Sequence, residues 1–142
     1  MIKDGLCIGA LRDFIMGVHQ PQDTYMVALY APRATIGPRT TTYTTEGEVS
    51  GRGYRAGGVP LSGYQCEETP AGVMFGWTDT PEWPNSTITA GGALIYNRTR
   101  GGRAIAVLSF GAVISSTNGM FDMQMPPMTP DQALIWISTE RM

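Results

Sequence analysis

The sequence predicts an all-β fold, a jelly-roll-like β-sandwich with a short N-terminal helix. Three observations carry that prediction. Apolar residues alternate with a period of two in short segments after residue 20, and Gly, Pro or Asn closes each segment. About eight such segments follow one another too closely for parallel crossovers, which need roughly a dozen connecting residues. A helical period occurs once, near the start. With 142 residues the chain matches one domain, residues 1–142, with one core.

Residues 1–20 form the helical segment, with 2–17 as its best span. Leu6, Ala10, Leu11, Phe14, Ile15 and Val18 recur at spacings of three and four and share a side. Gly5, Gly9 and Gly17 weaken it, so it needs tertiary contacts. Strands then read at Asp23–Ala31, Ala71–Asp79, Ser86–Tyr96 and Arg103–Gly111. The last two, joined by the turn Asn97–Gly102, make the clearest hairpin. Its Ile105 and Val107 lie between apolar Ala104, Ala106, Leu108 and Phe110, which predicts cover on both faces. Asn118-Gly119 reads as a further turn before a strand at Met120–Pro126, and Ala133–Ser138 is the last strand.

Residues 40–58, TTTYTTEGEVSGRGYRAGG, resist the simplest readings. A structureless linker of this length is unusual inside a domain, and Tyr43, Val49 and Tyr54 punctuate it at anchoring intervals. Gly51, Gly53 and Gly57 miss the dinucleotide fingerprint by one residue, and no helix follows. The stretch is expected to be an extended arm or edge segment ending in a glycine turn, and a place of contact with a neighbour.

Only 15% of residues are charged, against about 25% in ordinary soluble chains. The formal net charge of −2 and the scatter of basic residues argue against direct nucleic-acid binding. Arg98, Arg100 and Arg103 cluster only at a turn, where a solvated hairpin tip is expected. No segment has the apolar length to cross a bilayer, and the acids Asp4 and Asp13 argue against a leader at the start. Cys7 and Cys66 lack metal-ligand spacing; whether they pair is left open.

Catalytic chemistry finds little support. His19 is the single histidine, and it reads as a capping or hydrogen-bonded residue. A hydrolase reading would need it to gather with two carboxylates in a pocket. The pairs Glu46/Glu48 and Glu67/Glu68 are explained by turns more simply than by a glycosidase site. No cofactor and no metal are expected, and no catalytic residue is assigned.

DTYMVALY (Asp23–Tyr30), the tract Thr41–Gly58, WPNSTITAGGALIYN (Trp83–Asn97) and RAIAVLSFG (Arg103–Gly111) together resemble small structural proteins encoded near tailed-phage head genes. The resemblance runs in order over most of the chain. It implies a non-enzymatic virion protein on the outer surface of the capsid, of the decoration or cement type. Its implied partners are the major capsid protein and itself, as a homo-dimer or homo-trimer. A tail or head–tail connection protein is the alternative location. A carbohydrate- or receptor-binding β-sandwich is the alternative class, with Trp83, between two prolines, as its exposed stacking platform. Candidate interface residues are Tyr43, Glu46, Glu48, Arg52, Tyr54 and Arg55 in the arm, Trp83, and Met123 and Met125 in the Met-rich tail.

Overall fold

A computed structural model describes residues 1–139. They form a mostly β structure with two antiparallel sheets and one short helix. In chain order the elements are β1 (Gly5–Leu6), α1 (Ile8–Ile15), β2 (Tyr25–Tyr30), β3 (Val59–Pro60) and β4 (Tyr64–Thr69). There follow β5 (Gly72–Trp77), β6 (Glu82–Asn97), β7 (Arg103–Asp122) and β8 (Ile135–Ser138). The larger sheet has the order β1-β7-β6-β2-β3 and the smaller β4-β5-β8.

The β6–β7 hairpin organises the larger sheet. Its turn closes where Gly102 N–H donates to the Asn97 carbonyl (2.9 Å), with Gly101 and Gly102 both at positive φ. Ala104–Val107 and Ala90–Asn97 are buried, so the near half is covered on both faces as its unbroken apolar run predicts. Beside it, every residue of β2 is buried. The two sheets meet through rings: Tyr25 against Trp77 (4.8 Å between centroids) and Phe14 of α1 against Phe75 (5.0 Å).

Three expectations need correction. The helix covers only Ile8–Ile15, because the chain before it pairs instead, Gly5 with Val107 and Leu6 with Ala106. The expected apolar side is also split: Ala10 and Asp13 turn inward, while Leu11 and Ile15 face outward. Asn118-Gly119 is no chain reversal. Asn118 adopts φ 47° and forms a bulge within β7, its N–H held by Thr87 Oγ1 (3.1 Å). β7 therefore runs on to Asp122, and the separate strand at Met120–Pro126 is its end plus irregular chain. β4 escaped the sequence reading because it is a largely exposed strand of polar residues, Gln65 to Thr69.

Candidate functional site

Beyond the buried half, β6 and β7 continue as a two-stranded ribbon, Ala90 opposite Ile114 and Trp83 opposite Phe121. No charged residue occurs from Trp83 to Asn97 or from Ala104 to Phe121. Val113, Ile114 and Met120 are exposed large apolar residues on this ribbon. Its two edges are treated very differently.

The arm seals the β6 edge. Thr87 N–H donates to the Arg52 carbonyl (2.9 Å), and Arg52 reaches across to Asn118 Oδ1 (3.4 Å). The glycines allow backbone to lie on backbone. A β carbon on Gly51 would strike the Thr87 carbonyl, and one on Gly53 would come 2.8 Å from Ser86 Cα. The arm also completes the outer edge of β2, with Val49 N–H donating to Leu29 O (3.0 Å) and Ala31 N–H to Gly47 O (2.9 Å). Its ladder contacts among the described residues are the isolated bridges Tyr30–Glu48 and Thr42–Arg103.

Glu48 fastens the arm. Its carboxylate accepts from the Tyr43 phenol (2.5 Å), the Tyr54 phenol (2.5 Å) and Gly57 N–H (2.8 Å). Tyr54 Oη in turn accepts from Leu29 N–H (3.0 Å). Burial first, then the Glu48 carboxylate, lifts both phenols well above their ordinary range. These bonds to an ionised acceptor are roughly twice as strong as neutral ones. Tyr43, Glu48 and Tyr54 therefore bond to one another within this chain and are half-buried. Glu46, Arg52 and Arg55 remain exposed.

Trp83 is also corrected: it is 2% exposed, packed between Tyr54 and the edge-on ring of Phe121. The flanking Pro81 and Pro84 do not project it, because β6 has already begun at Glu82 and turns its side chain inward. No stacking platform exists there. Met123 and Met125 are buried, yet they floor an apolar groove of about 560 Å³ beside β7, with Leu108, Phe110, Ile114 and Phe121.

The β7 edge has no comparable seal. β1 pairs with it only at Ala106 and Val107, and Asp4 Oδ1 accepts from Ser109 N–H (2.8 Å). No strand among the described residues pairs with the outer edge from Phe110 to Asp122. Natural edges are blunted by lysines, prolines, bulges or covering chain; this one has bulges opposite Ser86 and between Ala90 and Gly92, and Pro126 and Pro127 line the groove beside it. The signal that could have found it is the missing charge between Arg103 and Asp122.

His19 does gather with two carboxylates, but not in a pocket. The imidazole side chain is wholly buried, 3.8 Å from Asp13 Oδ2, and Nδ1 accepts from Asn97 Nδ2 (2.9 Å). Asp23 is bound by Arg100 (2.9 Å) and Asp13 by Arg103 (3.0 Å), so two of the arginines expected at a solvated tip are paired. With a buried ring, occupied acids and an asparagine rather than a nucleophile as partner, the cluster ties α1 to the hairpin turn. Cys7 and Cys66 are free thiols; burial pushes Cys7 up to about 11. Among the described residues no acid, His and Cys group could hold a metal ion, and no helix is long and apolar enough to cross a membrane.

No protein-family model, curated protein or solved structure matches the chain.

Proposed function

We propose that this chain is a non-enzymatic virion structural protein, a capsid cement or decoration subunit that sits on the outside of a tailed-phage head and bridges neighbouring capsomers. The observation that carries the reading is the charge-free ribbon sealed along β6 and open along β7. An isolated soluble protein would be exposed there to edge-to-edge aggregation. A lattice component covers such an edge in use, and the low charge reduces the desolvation cost of doing so. Repetition over a shell makes each modest contact effectively stronger. The jelly-roll-like reading of the sheets is supported by the pairing of β1 with β7 and of β2 with β6, which folds the start of the chain back onto the long β6–β7 hairpin.

The test is co-sedimentation with purified expanded heads and, separately, with purified tails. Binding to heads at saturable, symmetric stoichiometry is expected. Exclusive binding to tails would replace the head assignment by the tail or connector one.

A further inference from the structure

We propose that the hollow between the glycine turn of the arm and the β6–β7 turn binds a carboxylate-bearing segment of the protein on which this chain assembles, with Arg55 and Arg98 holding the carboxylate. The proposal rests on the assembly reading and names the chemistry of the partner at one surface.

Two arginines from distant parts of the chain line this hollow of about 550 Å³. Arg55 opens a tight turn in which Gly58 N–H donates to its carbonyl (3.0 Å), and Arg98 starts the hairpin turn, its N–H bonded to the Thr24 carbonyl (2.9 Å). Their main chains are held, yet neither guanidinium has a hydrogen bond or ion pair among the described residues. Arg100 and Arg103 of the same hairpin are taken by Asp23 and Asp13. No acid among the described residues lines the hollow. Two exposed cations therefore share one concave surface, in a chain with few charges, and lack an anion between them.

The rest of the wall selects the anion. Gly57, Gly58 and Gly102 line it, but their N–H groups are spent on Glu48, the Arg55 carbonyl and the Asn97 carbonyl. These glycines thus supply no nest of main-chain donors, the usual cradle of a phosphate. Recognition falls to the guanidinium forks, which meet a planar carboxylate through two parallel bonds. Tyr43 and Tyr96 stack at 4.7 Å, their hydroxyls already donated to Glu48 and the Gly57 carbonyl. Their rings, with Met26 and Pro60, leave an apolar wall, which suits an acidic residue flanked by apolar ones. The Glu48 carboxylate stands behind this wall. Its bonds come from Tyr43, Tyr54 and Gly57 and none from an arginine, so both guanidiniums stay free.

The experiment titrates the full chain, labelled with nitrogen-15, with three probes: the end-blocked peptide Gly-Leu-Asp-Leu-Asp-Leu-Gly, the same peptide with Asn for Asp, and inorganic phosphate. The acidic peptide should shift the amide signals of Gly57, Gly58, Gly101 and Gly102 to saturation, with affinity falling as salt rises. The Asn peptide should bind at least about tenfold more weakly, and phosphate more weakly than the acidic peptide. Arg55→Gln and Arg98→Gln should each weaken the acidic peptide about threefold or more. Arg33→Gln removes the same charge at an exposed position outside the hollow and should change nothing. The amide spectra themselves check that the variants fold. The double variant Arg55→Gln, Arg98→Gln should co-sediment with heads less than the unmodified chain does.

Equal binding of the Asp and Asn peptides, no saturable shift, or an equal loss in Arg33→Gln overturns the proposal. Tighter binding of phosphate overturns it in favour of a phosphate site. Self-association that Arg98→Gln abolishes makes a second copy the occupant and overturns it too. If the double variant binds heads as well as the unmodified chain, the site proposal fails while the cement reading stands. If the unmodified chain binds neither heads nor tails, the assembly reading itself fails.

Discussion

A β carbon on Gly58 would land on the carbonyl oxygen of Val27, where the glycine turn at the end of the arm lies flat on the edge of β2. Gly58 also holds φ +81°. Both the contact and the backbone conformation exclude a side chain. Gly101, at φ +71°, has the conformation without the contact: a β carbon there meets open space. Gly101→Ala should cost about 1–2 kcal/mol for the left-handed backbone alone. Gly58→Ala adds a backbone collision that only movement of the arm or β2 can relieve, and should cost more than about 3 kcal/mol. Urea unfolding of the two variants measures the difference, and equal losses would refute the role given to this contact.

Glu48 tests how the arm is held. In Glu48→Gln the charge disappears and an amide donor faces phenols that are themselves donors. One buried polar group then loses its partner, a loss of about 1–3 kcal/mol. Tyr54→Phe leaves Leu29 N–H without its acceptor and should fall in the same range. Limited proteolysis should show faster cleavage within residues 44–56 in both variants. Unchanged cleavage would mean that backbone pairing at Gly47 and Val49 suffices to hold the arm.

Trp83 separates a core role from a binding one. Replacing it with alanine opens a cavity among Tyr54, Phe121 and the arm, and should cost about 3–5 kcal/mol. Its indole N–H has no hydrogen-bond partner among the described residues, so Trp83→Phe loses volume but no bond and should cost much less than alanine. Equal destabilisation by Phe and Ala would refute that apolar reading of the site.

The strands that sequence periodicity found are those with buried faces. β2, β5 and the near half of β6–β7 announce themselves because burial selects aromatic and β-branched residues there. β4 stays hidden since an exposed edge strand has no apolar face to alternate. Asn118-Gly119 carries the strongest local hairpin signal known, yet long-range bonds from Thr87 and Arg52 turn it into a bulge. The arm was located by its anchors, Tyr43, Val49 and Tyr54, but its direction was not. Nothing local reveals that Glu48 points toward two tyrosines, because they converge only once residues 47–49 have paired with β2. For the same reason Trp83, Met123 and Met125 stood out as unusual while their inward orientation required the ribbon's twist and cover.

The His19 cluster makes stability depend on pH in two separate windows. Burial, outweighing the pull of Asp13 and Asp23, lowers the His19 pKa from its ordinary value. Below about pH 6.5 the unfolded chain therefore takes up a proton that the folded chain refuses. Stability should fall as pH drops from about 7 toward 5. Asp23 behaves differently: hydrogen bonds from Arg100, first, hold its carboxyl down to about 2. Its contribution is complete above the unfolded value near 4 and is lost as pH falls from about 4 toward 2. His19→Gln should erase the upper step and leave the lower one; Arg100→Gln should shrink the lower step, since Asn97 and Gln20 N–H still donate to Asp23, and leave the upper. Urea midpoints for the three proteins between about pH 2 and pH 8 resolve the steps, and an upper step that survives in His19→Gln would assign it to another group.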